Sequence, residues 1–156
     1  MLNQVVVLFT VLSSLQLGHF TCPDGTDYLP PILGSNWPCV SVDRNQLSIN
    51  DAQIHCKIRN GSLISIPNGY VNSLVADFVE DANVLIHRAH IGVTRLSGDV
   101  WKNMDDGSDT VFFDWASGEP KNNTGFYCVQ IDSKGYWYSD LCATGHFVCG
   151  LPDSQQ

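Results

Sequence analysis

The last part of the chain constrains its fold more than any other feature, because three cysteines are set into short apolar runs. The segment reads Tyr127-Cys128-Val129-Gln130-Ile131, a turn at Asp132-Ser133-Lys134-Gly135, Trp137-Tyr138-Ser139-Asp140-Leu141-Cys142, and Gly145-His146-Phe147-Val148-Cys149-Gly150. Aromatic and β-branched runs separated by turn residues read as short strands, and cysteines placed within them read as staples. The chain holds six cysteines in 156 residues, an even number in a length suited to one domain, which implies a disulfide framework in an exported protein. Six cysteines allow fifteen pairings, so spacing alone leaves the connectivity open.

Export is expected from the other end of the chain. The apolar run Val5 to Leu15 lies at the extreme N-terminus and is shorter than the roughly 20 residues that cross a bilayer. Residues 1–18 therefore read as a signal peptide and 19–156 as a single domain with all six cysteines and no membrane span. Eight Lys and Arg stand against sixteen Asp and Glu, a formal charge of −8. No basic stripe exists to release counterions from nucleic acid or to hold an anionic membrane surface. Nearly all the acidic residues are Asp, a residue that favours turns and caps, which accounts for most of them without a metal.

Residues 22–39 are rich in Pro, Gly and Asp, including Pro30-Pro31 and Trp37-Pro38, and should form an irregular arm held by its own cysteines. Ser48 followed by Asp51, with Ala52 and Cys56 four apart, predicts a first helix of about ten residues ending near Asn60-Gly61, with Gly61 as the left-handed cap. Asn68 is the expected N-cap of a second helix, on which Val71, Leu74, Val75, Phe78 and Val79 form one apolar face. Strands are predicted at Leu63 to Ile66, Ala89 to Val93, Val111 to Phe113, Tyr127 to Ile131, Tyr136 to Tyr138 and His146 to Val148. Helices early and strands late make an α+β fold, with long loops between Val93 and Pro120 where binding tends to reside.

An ordered set of landmarks now spans nearly the whole mature chain: Cys22-Pro23-Asp24-Gly25, Ala52 to Cys56, Gly61-Ser62-Leu63-Ile64-Ser65-Ile66, His90-Ile91-Gly92-Val93, Trp101, Asp106-Gly107, Trp115, Gly118-Glu119-Pro120, Cys128, Trp137, Cys142 and Phe147-Val148-Cys149. The set resembles the C-type lectin-like domain in its long, six-cysteine form. That resemblance implies the α+β fold of the family, with two helices, short antiparallel strands and a long loop region stapled by disulfides. It implies the pairs Cys22 with Cys39, Cys56 with Cys149, and Cys128 with Cys142, and a cis Glu119-Pro120 bond. His90 stands where the family usually has Trp.

In calcium-binding members, the resemblance further implies, oxygen ligands come from Glu-Pro-Asn in the loop, a Glu two residues before the strand cysteine, and Trp-Asn-Asp beginning five before the next. Here Glu119-Pro120 is followed by Lys121, Phe126 precedes Cys128 by two, and Trp137 is followed by Tyr138 and Ser139, with Asp140 one position late. Calcium takes about six to eight oxygens, and Lys121 would repel it. No cofactor is expected. Glu119, Asn122 and Asp140 are the only candidates for a rearranged calcium site, and Asp140 would need a bulge to reach the correct face of its strand. The candidate ligand-binding residues are Glu119, Lys121, Asn122, Tyr138 and Asp140.

Asn60-Gly61-Ser62 and Asn122-Asn123-Thr124 are glycosylation sequons, and a glycan on Asn122 would crowd Glu119. Enzyme readings find little support. His87 and His90 have helix-like ligand spacing but His90 falls in a strand, and the two Glu, Glu80 and Glu119, do not make a facing pair. The expected function is that of a secreted recognition protein binding a glycan or an extracellular protein without calcium-bridged contacts, with a host-defence role by resemblance. The alternatives are a calcium-dependent lectin with a rearranged site and a small secreted hydrolase. No sequence feature sets an oligomeric state.

Overall fold

A computed structural model describes residues 21–82 and 87–154; the expected signal peptide lies outside them. The first helix, α1, spans Ile49–Ile58. Ser48 caps it, its hydroxyl accepting from the Asp51 backbone N–H at 3.3 Å, so one of the unpaired first-turn donors is satisfied. At its end the left-handed residue is Asn60, at φ 60°, and not Gly61 as expected from the sequence. Asn tolerates that conformation. Gly61 is needed for space instead: a Cβ there would run into the Gly150 carbonyl oxygen and sit 2.7 Å from Leu151 Cδ2.

The second helix, α2, spans Gly69–Ala82. Asn68 Oδ1 accepts from the N–H groups of Tyr70 at 3.0 Å and Val71 at 3.1 Å. Val71, Val75 and Val79 are wholly buried, with Leu74 and Phe78 packed beside them. The expected apolar face is therefore the face that meets the core.

Among the described residues eight strands form one sheet: β1 (Asp27–Tyr28), β2 (Cys39–Leu47), β3 (Ser62–Leu63), β4 (Arg88–Thr94), β5 (Lys102–Asn103), β6 (Cys128–Asp132), β7 (Trp137–Asp140) and β8 (Gly145–Leu151). The main path runs β1-β2-β8-β4-β6-β7, with β3 on β8 and β5 on β4. The pairs are antiparallel except β4 with β8, which are parallel, so the sheet is mixed. Residues 111–113 form no strand; Phe112 instead turns its ring edge-on to Trp137 at 5.7 Å, so packing takes these residues rather than a ladder. The nine-residue β2 has no counterpart among the sequence predictions. Its alternation lasts only from Val40 to Asp43, and its partner β8 is at the far end of the chain.

Three disulfides are formed, Cys22–Cys39, Cys56–Cys149 and Cys128–Cys142, the pairs the family resemblance implies. The first ties the N-terminal arm to β2, the second joins α1 to β8 across 93 positions, and the third holds β6 to the segment after β7 across 14. On the chain-entropy model the long closure stabilises by about 4–5 kcal/mol and the short one by about 3. Among the described residues no helix is long and apolar enough to cross a membrane.

Candidate functional site

The loop before β6 is built onto β7 through backbone pairing. Trp137 donates its N–H to the Asp114 carbonyl at 2.7 Å, and Ala116 donates to the Trp137 carbonyl at 2.9 Å. Glu119 follows, its N–H bonded to the Ala116 carbonyl at 3.0 Å and its peptide bond to Pro120 cis. This turn lays the Glu119 carboxylate against Ser139. Oε2 accepts from the Ser139 backbone N–H at 3.0 Å and from the Ser139 hydroxyl. The same hydroxyl oxygen accepts from the Lys121 N–H at 2.8 Å.

The other oxygen, Oε1, lies 3.7 Å from the Lys121 ammonium, and the Glu119 side chain is only 7 % exposed against 50 % for Lys121. Burial, the largest single influence on Glu119, raises its pKa. The two Ser139 hydrogen bonds and the Lys121 charge together outweigh burial, so the carboxyl is held below its ordinary value and stays ionised. The Lys121 ammonium also stands 5.1 Å from the centre of the Phe126 ring, within range of the ring's negative face.

Arg95 is a residue that sequence reasoning overlooked. Its Nε donates to the Phe126 carbonyl at 3.0 Å and a terminal nitrogen donates to the Lys121 carbonyl at 2.8 Å. Its guanidinium lies over Trp101 at 4.7 Å and within 6.0 Å of Tyr127, and its own N–H donates to the Tyr127 carbonyl at 2.8 Å. One side chain thus pins both ends of the segment 121–126. The sequence carries no local signal for it, because its partners Lys121 and Phe126 lie 26 and 31 positions further along the chain.

Of the candidate ligand residues, the structure brings Glu119 and Lys121 together and leaves Asn122 exposed beside them. It separates Tyr138 and Asp140 from them. β6 and β7 pair without a break in register, Cys128 opposite Asp140 through Ile131 opposite Trp137, so no bulge turns Asp140 around. Side chains alternate along a strand; Trp137 and Ser139 point inward, Tyr138 and Asp140 to the other face. There Tyr138 donates its hydroxyl to Asp132 at 3.1 Å and lies under the Arg88 guanidinium at 3.4 Å.

Asp140 faces His90, its carboxylate 3.9 Å from Nε2. His90 is wholly buried, with Nε2 also 2.9 Å from the Ala143 carbonyl and 3.4 Å from the Gln130 amide nitrogen. Its place in β4 is filled by an imidazole with polar neighbours. Burial pushes the His90 pKa down, against the Ala143 carbonyl and Asp140, which raise it.

Calcium does not fit the residues present. A hard cation needs several free oxygens converging on one point, and here Glu119 is already hydrogen-bonded to Ser139 and ion-paired with Lys121, Phe126 presents a ring, and Asp140 faces away. Among the described residues no group of three or more His, Cys, Asp and Glu side chains could hold a metal. The two sequons differ in setting. Asn122, Asn123 and Thr124 are all exposed, whereas Ser62, the third residue of the Asn60 sequon, is buried and bonded to Gln53.

Residues 45–151 match the family model described as the lectin C-type domain. Collectin-10 of Xenopus tropicalis is 30% identical over 111 residues, covering 69% of this chain and 40% of the collectin. The chain thus spans about two fifths of the length of the collectins it matches. Human lithostathine superposes with a TM-score of 0.74 at 21% identity, over 85% of this chain and 100% of that one. A calcium-independent type II antifreeze protein superposes with a TM-score of 0.70 at 16% identity, over 86% and 97%.

Proposed function

The chain belongs to the C-type lectin domain family, and from that premise we propose that it is a non-catalytic extracellular recognition protein that binds a glycan or protein ligand without calcium. One observation carries the reading: the Glu119 carboxylate is consumed within the protein, by both donors of Ser139 and by the Lys121 ammonium. A metal-bridged contact would have to break these bonds and displace a charge of its own sign. The face offered to a ligand is then the surface of the segment 119–126, tied by Arg95 at residues 121 and 126. A tied loop loses less entropy on binding.

The signal peptide expected at 1–18 and the three disulfides, which persist in oxidising compartments, support secretion. A glycan on the exposed Asn122 would restrict this face to small or edge-on ligands. A host-defence role is what the family resemblance implies. The test is a glycan array probed with the secreted protein in calcium and in EDTA. Equal binding in both supports the reading; binding seen only in calcium overturns it.

A further inference from the structure

We infer that Ile32, Tyr70 and Val111, with the groove they border, form a docking surface for a segment of an extracellular partner protein that carries basic and aliphatic side chains. This surface shares no residue with the segment 119–126, and what it binds does not depend on what that segment binds.

Three large apolar side chains from separate stretches stand in solvent at one place. Ile32 is 92 % exposed, Val111 82 % and Tyr70 76 %. Each is the outward neighbour of a side chain that packs on the core, Leu33, Phe112 and Val71 in turn. Local geometry accounts for one such residue, but not for three brought together from distant parts of the chain. Contacts between their neighbours fix the meeting. The Asn68 amide donates to the Leu33 carbonyl at 2.7 Å, which ties the arm to the start of α2. A Cβ on Gly69, the residue before Tyr70, would stand 3.8 Å from Phe112 Cε2. Val111 and Gly34 both line a groove of about 290 Å³, with Ile66 and Pro67 between them in the chain. Single exposed apolar residues are ordinary on a protein surface, whereas a cluster of them marks an interaction site.

The groove is preformed around Asp105. Its Oδ2 accepts from the Asn36 amide at 3.0 Å, the Trp37 indole N–H at 3.3 Å and the Ser65 hydroxyl at 2.5 Å. One carboxylate thus joins the arm, the segment after β3 and the loop 103–111, so a partner meets walls that need little further ordering. The rim is negative. Asp106 accepts from the Ser108 hydroxyl at 2.6 Å and the Ser108 N–H at 2.9 Å, and these bonds, the hydroxyl first, hold its carboxyl below the ordinary value. Asp109 has a side chain 65 % exposed, with the Lys102 ammonium 2.6 Å away. Among the described residues none that lines the groove is basic. Charge complementarity therefore selects the occupant: basic side chains meet Asp106 and Asp109, and aliphatic ones cover Ile32 and Val111. A second copy would set this acidic rim against itself in a chain of formal charge −8. Ile32 and Val111 give a hydroxyl-rich ligand nothing to bond, and the groove lies at the low end of small-molecule sites, which suits side chains of a segment laid across it.

The disulfide-bonded protein is used to select from random linear peptides displayed on phage at low ionic strength. Selected sequences should combine Lys or Arg with Leu, Ile or Val; no enrichment, or enrichment of acidic or uncharged sequences, overturns the inference. The selected peptides are then synthesised and their affinities measured. Ile32→Ser and Val111→Ser should each weaken binding about ten-fold, the worth of one buried aliphatic side chain. Both positions are exposed, so the melting temperature, measured alongside, should stay at the wild-type value. Asp106→Asn should weaken binding and make it less sensitive to added salt. Unchanged affinity in the serine variants overturns the docking surface, and a salt response unaltered by Asp106→Asn overturns the basic partner. Sedimentation that shows a concentration-dependent dimer, lost in Val111→Ser and unaffected by the peptides, would assign the face to a second copy and overturn the inference as well.

Discussion

Asn72→Ala should be among the most destabilising single substitutions in the domain. Asn72 lies on the buried side of α2 with 3 % of its surface exposed. Its Oδ1 accepts from the Trp137 indole N–H at 2.8 Å, and its Nδ2 donates to the Gly135 carbonyl at 3.0 Å and to Asp114 at 3.1 Å. Truncation to Ala removes all three. Trp137 is fully buried, so its N–H loses an acceptor where no water can reach. Two neutral hydrogen bonds at about 1 kcal/mol each and one to a carboxylate at about 1.5–3 give a loss of about 3.5–5 kcal/mol, to which the orphaned indole donor adds. That is a large fraction of the 5–15 kcal/mol typical of a domain. Asn72→Asp should cost at least as much, since it keeps the acceptor for Trp137 but loses both donors and sets a carboxylate against Asp114. Urea denaturation followed by far-UV circular dichroism measures the change as a shift of midpoint at constant slope. A loss below about 1 kcal/mol for Asn72→Ala would refute the argument that this amide is the hub joining α2, the turn before β7 and the loop that carries Glu119.

Titrating millimolar calcium should move the melting temperature by less than about one degree, because a cation that bound only the native state would stabilise it; a rise of several degrees abolished by EDTA contradicts the site geometry. Non-reducing peptide maps should recover Cys22–Cys39, Cys56–Cys149 and Cys128–Cys142, and replacing the Cys56–Cys149 pair should cost about 4 kcal/mol against about 3 for Cys22–Cys39; a Cys22–Cys149 crosslink would discard both. Folding should hold His90 neutral, since burial depresses its pKa from 6.5, so the unfolded chain takes up the proton first. Stability should then be full above about pH 6.5 and fall as pH drops from there toward the lower folded-state pKa, while His90→Phe should flatten this part of the profile; identical slopes between about pH 7.5 and 5.5 would contradict it.

The sequence by itself determined whatever is written within one stretch of chain. The two helices follow from Ser48 and Asn68 as caps and from the spacing of Val71, Val75 and Val79, and the C-terminal strands follow from apolar runs between turn residues. The order of landmarks from Cys22 to Cys149 was enough to point to the family, and the residue types along the loop, Lys121 and Phe126 among them, were legible one by one. Tertiary structure decided the rest, because it depends on register and on partners far apart in the chain. Strand β2 is hard to see alone, since its order comes from β8 more than a hundred residues later. Gly61 reads as a cap until Gly150 is brought against it. The unbroken pairing of β6 with β7 turns Tyr138 and Asp140 away from Glu119, and the grip of Arg95 on Lys121 crosses 26 positions of loop. Periodicity is a local property, whereas the face on which a side chain arrives is set by the strand beside it. The types of group available near the site could therefore be read from the sequence, but which of them meet could not.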